Sequence, residues 1–182
     1  AMDVVIDEAT EDITKMAAVA PSEKTYFETS SFAHAKRRIP WLLVLMFSSI
    51  ITGSIITKYE NAFQTVPLLV SFIPMLMDTG GNCGSQSSTM IIRGMAVGEI
   101  DPADIIKVLW KEMRVGMVVG FVLAVVNFAR LMIQYPGNTM ICLTVVLSVF
   151  CTVIVAKAIG CSLPIGAKVL KLDPAIMASP MI

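Results

Sequence analysis

Sixteen consecutive residues, from Pro74 to Thr89, combine polar chemistry with an apolar setting. The stretch holds a proline, a carboxylate, three glycines, two amides and several hydroxyls, within an apolar segment that begins near Val66 and ends near Ile92. Polar groups at membrane depth are costly, so they usually face a bundle interior or a water-filled pathway. The composition predicts the wall of a pathway for an ion or a polar solute.

The spacing of the polar residues indicates that they lie on the same side of a helix. Asp78, Asn82 and Gln86 fall at i, i+4 and i+8, which is one face of a helix. A purely structural alternative is that the stretch forms a helix–helix packing face. Gly80 and Gly84 support it, because they form a small-xxx-small pair. Packing alone requires neither the carboxylate nor the two amides, so we favour the pathway.

Carboxylate, amide, hydroxyl and glycine carbonyl oxygens are the donors that this stretch offers. An oxygen-only set favours hard cations over zinc, copper or nickel. Magnesium gives up its waters reluctantly, so a sparse ring of amides and carbonyls suits a hydrated ion. This chemistry indicates a hard cation that keeps its water, and it leaves Na⁺ open.

Other kinds of site find little support in the sequence. The cysteines form no CxxC pair and His34 has no ligand partner nearby, so neither a zinc site nor a disulfide framework is predicted. An intramembrane hydrolase would need paired carboxylates, a Ser–His pair or an HExxH helix. Asp78 is the one carboxylate expected at mid-membrane, so we predict that the protein is not an enzyme. We expect the cysteines to be small buried side chains: Cys83, Cys142, Cys151 and Cys161.

The composition of the whole chain agrees with a membrane protein. The 182 residues are 55% hydrophobic and 15% charged, with a mean hydropathy of +0.75. These values are typical of an all-α polytopic membrane protein. The formal net charge is zero, so nothing in it points to a nucleic-acid partner.

The chain begins with a segment of soluble character, residues 1–27. We predict a strand at residues 1–6 and a short helix at residues 9–20. A lone strand leaves its own edge unpaired, so the segment is expected to end a cytosolic domain. Residues 29–31 then offer hydroxyl oxygens to cap a helix that ends at Arg38.

Apolar segments follow. The first predicted span covers residues 41–56, and the second is the polar stretch. The Asp101-Pro102 pair is an N-cap and N1 signal for a third helix, whose charged start should protrude into the cytosol. Residues 134–138 predict a turn, and the fourth span covers residues 139–158. The charged residues of the third helix are Lys107, Lys111, Glu112 and Arg114.

A second cap-and-proline signal, Asp173-Pro174, predicts a fifth helix from Ala175. The sequence ends at Ile182, two turns later, so we expect the fifth span to be truncated. The positive-inside rule places the N-terminus in the cytoplasm, with Lys157 near the inner end of span four and able to snorkel. Lys58 and Arg130 lie on the predicted outer face, and the inner face holds Lys36, Arg37, Arg38, Arg93, Lys107, Lys111, Arg114, Lys168 and Lys171.

The motif also resembles a known family. Pro74 followed after six residues by Gly81-Asn82-Cys-Gly84-Ser85-Gln86 is similar to the signature of the MgtE magnesium transporters and channels. The resemblance continues through Ile92-Arg93-Gly94 and covers residues 3–182. The segments Arg38-Ile-Pro40-Trp41 and Leu172-Asp173-Pro174-Ala175 also resemble the family.

This resemblance implies a homodimer in the bacterial inner membrane with five membrane helices per subunit. The second and fifth helices would line a pore for Mg²⁺ at the dimer axis. It further implies that residues 1–27 end a cytosolic CBS domain and its linker, that residues 28–39 form the plug helix, and that residues 40–182 form the pore domain. Cytosolic Mg²⁺, as a regulatory ion, would close the pore through the plug helix.

The resemblance also implies roles for individual residues. By position in the motif, Gly81 and Ser85 contribute to the hydrated-ion site, and Asn82 and Gln86 shape it. The family often has asparagine where this chain has Ser85 and Ser179. Its ion-coordinating aspartate lies about two turns beyond Pro180, so we expect the chain ending at Ile182 to be pore-defective or a fragment. With Asp78, the predicted metal-binding residues are Asp78, Gly81, Asn82, Ser85, Gln86 and Ser179.

Two alternatives stay open beside a passive, gated Mg²⁺ pathway. A sodium-coupled or other secondary transporter would also use helices rich in Gly, Asn and Gln, although such folds carry internal repeats. The repeated Asp-Pro-Ala at residues 101 and 173 hints only weakly at one. A structural membrane module, whose partner supplies the chemistry, is the other alternative.

Overall fold

The computed structural model describes residue 11, residues 13–17, residue 19 and residues 26–177. Residues 26–177 form helices and connecting turns and contain no strand, which confirms the all-α prediction. The strand expected at residues 1–6 and the predicted site residue Ser179 lie outside the described residues. The α-helices are α1 (Ser31–Lys58), α2 (Glu60–Thr65), α3 (Ile73–Ala96), α4 (Ile105–Gln134) and α5 (Thr139–Val169). Short 3-10 helices cover Pro67–Phe72, Pro102–Asp104 and Pro174–Met177.

α1 begins where the hydroxyl-rich segment predicts. Ser30 is the N-cap, and its Oγ accepts a hydrogen bond from the Ala33 amide at 3.3 Å. The helix continues through Pro40 to Lys58, so the basic segment and the first predicted span belong to one helix. Every residue of α1 is at least partly exposed, which leaves its apolar side chains available to lipid or to another chain.

The packed part of the molecule is a bundle of α3, α4 and α5, in which α5 packs against both of the others. Small residues allow the close approach. A Cβ atom added at Gly160 of α5 would overlap the carbonyl of Gly84 in α3. On the other side, a Cβ atom at Gly120 of α4 would lie 3.1 Å from the ring of Phe150 in α5.

Turn chemistry determines where the bundle helices begin. Asp101 Oδ1 accepts a hydrogen bond from the Ala103 amide at 2.9 Å, which confirms the predicted cap ahead of α4. The turn between α4 and α5 contains Gly137 at φ +90°. A residue with a Cβ atom is strained in this left-handed region of backbone conformation, whereas glycine adopts it without strain.

α5 is longer than the sequence predicts. The fourth span was expected to end near Ala158, but the helix continues through Pro164 to Val169. Pro164 is almost fully buried, and packing against neighbouring helices lets a membrane helix tolerate a proline. The helix ends where Lys171 takes φ +59° and the Leu172 amide bonds the Ala167 carbonyl at 2.8 Å.

Three of the described helices are long and apolar enough to cross a membrane: Ser31–Lys58, Pro102–Gln134 and Thr139–Val169. α3 is not in this set although its 24 residues would reach about 36 Å at 1.5 Å per residue. Its polar stretch lowers its hydropathy. The bundle therefore combines one long helix of mixed character, α3, with two clearly apolar ones, α4 and α5.

Candidate cation pathway

α3 is one continuous helix with two chemically different faces. Its packed face consists of small or apolar buried residues that lie against the rest of the bundle. The opposite face is exposed and carries Asp78, Asn82 and Gln86, which confirms that these three residues share a helical face. The buried residues of α3 are Gly80, Cys83, Gly84, Ser87, Ser88, Ile91 and Gly94.

The exposed face is polar over about 12 Å, since eight residues separate Asp78 from Gln86 at 1.5 Å each. Among the described residues, none of the three side chains has a hydrogen-bond partner in the chain. A polar group that is left unpaired in hydrocarbon costs several kcal/mol, on the order of 2–7. In a membrane this face therefore needs water, an ion or a second chain against it.

Gly81 and Ser85 lie at the border between the two faces and are half-buried. Gly81 lines a groove of about 510 Å³ between α3 and α5, together with Gly80 and Thr152. Among the described residues, no heavy atom lies within 4 Å of a Cβ placed at Gly81. The backbone of α3 is therefore open to a small ligand at this point.

The structure thus brings five of the six predicted site residues onto one helix, and the sixth, Ser179, lies outside the described residues. No cluster of three His, Cys, Asp or Glu side chains occurs within the part of the chain that is described. Among the described residues, the exposed face of α3 and its border offer a single carboxylate, two amides and the Ser85 hydroxyl, which are too few ligands to replace the water around Mg²⁺.

A buried charged network on the packed face was missed by the sequence analysis. Ser87 Oγ donates a hydrogen bond to Glu112 Oε2 at 2.6 Å and accepts one from Lys157 Nζ at 3.1 Å. Lys157 Nζ also lies 3.5 Å from Glu112 Oε2. The three residues belong to α3, α4 and α5, so one network joins the whole bundle.

Two predictions are wrong at this network. Lys157 does not snorkel, because only 5% of it is exposed. Glu112 does not protrude with the charged start of α4, because its side chain is 15% exposed and faces Lys157. The available signal in the sequence was an acidic residue in α4 and a basic residue within the apolar part of α5, since ionisable residues in membrane spans usually pair with each other.

The prediction that the four cysteines are buried is confirmed for three of them. Cys83, Cys142 and Cys161 are buried, whereas Cys151 is exposed on α5 and contradicts it. His34 lies near the start of α1, where its Nε2 is 3.2 Å from the Tyr26 carbonyl oxygen. This contact gives the histidine a local structural role.

An ion pair outside the spans ties the N-terminal segment to the end of the bundle. Lys15 Nζ lies 2.7 Å from Asp173 Oδ2, and Asp173 Oδ1 accepts a hydrogen bond from the Ala175 amide at 2.9 Å, as the predicted cap requires. Burial acts to raise the pKa of Asp173, but the bonds from Lys15 and Ala175 outweigh it and keep that pKa below its usual range. Hydrogen bonds to Asp173 and Glu11 raise the pKa of Lys15 above its usual range.

Comparison with known proteins places this architecture in a family. A family model described as MgtE, divalent cation transporter, matches residues 73–182, which include α3, α4 and α5. The chain belongs to the MgtE family. It is 38% identical over 181 residues to the magnesium transporter MgtE of Bacillus subtilis (strain 168) and 34% identical over 181 residues to that of Thermus thermophilus.

Both matches cover 100% of this chain and 40% of the relative. A third relative, the magnesium transporter MgtE of Enterococcus faecalis, is 27% identical over 183 residues. The chain therefore spans about two fifths of the length of the MgtE relatives that it matches. The family resemblance drawn from the motif is confirmed.

Proposed function

We propose that this chain forms the pathway for passive, gated transport of hydrated Mg²⁺ across the cell membrane. The observation that carries the proposal is the exposed polar face of α3, on which Asp78, Asn82 and Gln86 have no hydrogen-bond partner among the described residues. Relatives at 34% and 38% identity are named magnesium transporters, which supports the choice of cation.

The face suits a cation that keeps its first shell of water. The amides of Asn82 and Gln86, the Ser85 hydroxyl and the open backbone at Gly81 can all accept hydrogen bonds from bound water. Asp78 adds a negative charge about five residues from the start of α3, where it would raise the local concentration of cations. Direct ligation would demand more oxygens than one helix supplies.

A homodimer completes the proposal. Most soluble oligomers are closed and symmetric, and a twofold axis brings the same surface of two subunits face to face. Two copies of α3 arranged in this way would enclose a polar channel and remove its unpaired groups from lipid. Ser179, in the fifth span that the sequence predicts after Asp173-Pro174, would add a hydroxyl.

Orientation and regulation complete the functional model. The excess of Lys and Arg on one side supports a cytoplasmic N-terminus under the positive-inside rule. Most of residues 28–39 belongs to α1, which begins at Ser31 and continues through Pro40 into the first predicted span. A movement of this basic segment would therefore be transmitted to that span. Regulatory Mg²⁺ on the cytoplasmic side would act through this segment.

Flux measurements on Asp78→Asn test the proposal. The full natural chain is reconstituted in liposomes, and Mg²⁺ entry is followed with an internal fluorescent indicator. Loss of the charge is expected to reduce entry by about tenfold, equivalent to about 1.4 kcal/mol. Glu99→Gln, which neutralises an exposed carboxylate in the α3–α4 loop, is the matched control and should leave entry unchanged.

Two results would contradict the proposal. Equal entry by Asp78→Asn and Glu99→Gln would remove Asp78 from the pathway. Entry that requires an imposed sodium gradient would assign the protein to the sodium-coupled class.

A further inference from the structure

The closest approach of α3 and α5 is formed by glycines, and a contact of this kind sets distance better than rotation. Gly84 and Gly160 bring the two backbones together but present no side chain that interlocks with the other helix. On either side of this point Cys83 packs against Val149 and Val153, and Ile91 packs against Cys161 and Ile165. These apolar contacts have no directional bonds, so a hydrogen bond between helices adds a directional restraint on which face of α3 turns outward. In the described part of the chain, the network of Ser87, Glu112 and Lys157 supplies such bonds between helices.

We infer that Ser87 is a positioning residue, whose bonds to the Glu112–Lys157 ion pair fix the rotation of α3 that presents Asn82 and Gln86 to the pathway. Ser87 directly follows Gln86, so the two side chains point about 100° apart. Ser87 is 1% exposed, whereas Gln86 is exposed. The inference rests on the proposed function only where it assigns Asn82 and Gln86 to the ion.

The chemistry of the Ser87 hydroxyl fits this role. A hydroxyl can donate one hydrogen and accept others, and here it donates to a carboxylate and accepts from an ammonium group. Hydrogen bonds to charged partners are shorter and stronger than neutral ones, and the Ser87–Glu112 bond is 2.6 Å. Because Glu112 and Lys157 lie on different helices, the hydroxyl is held from two directions.

Cys83 provides a reporter of this rotation. It lies four residues before Ser87, so both residues share the packed face, and Cys83 is 6% exposed. If the rotation of α3 is no longer fixed, the helix turns in both directions about its axis, and the turns that move Cys83 away from the bundle expose its thiol to water. A thiol reacts with water-soluble reagents only to the extent that it becomes accessible.

The experiment compares Ser87→Ala with Ser148→Ala in a Cys151→Ala background of the full natural chain. Within the described structure, the Ser148 hydroxyl donates its hydrogen bond to the Thr144 carbonyl of its own helix, at 2.8 Å. Ser148→Ala therefore controls for the removal of a serine hydroxyl that does not join two helices. Each variant is treated with a water-soluble methanethiosulfonate, and mass spectrometry identifies the labelled thiol. We expect Ser87→Ala to label Cys83 about three- to tenfold faster than Ser148→Ala, as the loss of one charge-assisted bond allows.

Transport provides the second readout. If Ser87→Ala displaces Asn82 and Gln86 from the pathway, the Mg²⁺ concentration at half-maximal flux should rise about three- to tenfold. If Ser87→Ala only reduced the amount of folded protein, maximal flux would fall and the half-saturating Mg²⁺ concentration would stay unchanged. Should Ser87→Ala fail to fold, the double variant Glu112→Gln/Lys157→Gln replaces it, since it removes both charges and leaves no uncompensated one buried.

Each outcome decides the inference. Faster Cys83 labelling together with a raised half-saturating concentration supports it. Wild-type labelling in folded Ser87→Ala overturns it, and so does faster labelling with unchanged half-saturation. If the background protein carries no Mg²⁺ at all, the proposed function fails, and Cys83 labelling alone decides whether Ser87 positions α3.

Discussion

Gly160 of α5 lies directly against the backbone of Gly84 in α3. A Cβ atom added at Gly160 would overlap the Gly84 carbonyl and lie 2.9 Å from its Cα. Backbone on the facing helix cannot move aside as a flexible side chain can. The polar face of α3 is therefore held on the bundle by a contact that accepts only glycine.

Replacing Gly160 with alanine should destabilise the bundle. Overpacking of this kind costs about 1–3 kcal/mol, so the midpoint of thermal unfolding in detergent should fall. Gly166→Ala in the same helix is the matched control, because among the described residues nothing lies within 4 Å of its added Cβ. That control should be neutral or slightly stabilising, and an equal loss in both variants would contradict the predicted contact.

Replacing Gly81 with leucine should block Mg²⁺ entry without unfolding the chain. The space around an added Cβ is open within the described structure, so the new side chain would occupy the groove instead of displacing a packed neighbour. Flux into liposomes should fall at least about tenfold, with an unchanged unfolding midpoint. Gly53→Leu, at an equally open position on α1, should transport normally, and normal transport by Gly81→Leu would remove Gly81 from the pathway.

Neutralising the basic cluster Lys36, Arg37 and Arg38 should weaken closure of the pathway by cytoplasmic Mg²⁺. The three residues lie in the first turns of α1, which continues without a break into the first span. The measurement is flux against Mg²⁺ concentration on the N-terminal side for the triple glutamine variant. A variant neutralised at Lys168 and Lys171, which are exposed at the end of α5, is the control. Identical inhibition curves for the two variants would contradict the prediction.

The Lys15–Asp173 pair should hold the N-terminal segment at neutral pH and release it in acid. The pKa of Asp173 is lowered in the folded protein. Its contribution to the stability of the folded contact is therefore fully present above its unfolded pKa of about 3.9, and it is lost as the pH falls through the lower folded pKa. The pKa of Lys15 is raised, so its contribution is lost only at strongly alkaline pH, above its folded value. The predicted window for release is therefore below about pH 4.

Fluorescence anisotropy of a label at Ala17→Cys, in the Cys151→Ala background, measures this release. Anisotropy should fall below about pH 4, and in Lys15→Met it should already be low at pH 7. Lys107→Met removes a different exposed pair, with Asp104 at 2.7 Å, and should leave the anisotropy unchanged. A neutral-pH value for Lys15→Met equal to that of the parent would refute the link.

The spacing of residues along the chain was sufficient to predict the long helices, their caps and the polar face of α3. The polar stripe on α3 depends only on residues four apart, and the caps at Asp101 and Asp173 depend on neighbours two residues away. Helix geometry is the same wherever such a segment lies. The helical class, the polar face of α3 and the family motif were therefore available from the sequence.

Only the tertiary structure determined which groups meet across the bundle. Lys157 and Glu112 are 45 positions apart in the sequence, and their pairing through Ser87 depends on how three helices pack. The continuation of α5 through Pro164 likewise depends on neighbours, because the local signal of a proline is to end a helix. Contacts between distant residues arise from packing, and spacing along the chain does not determine them.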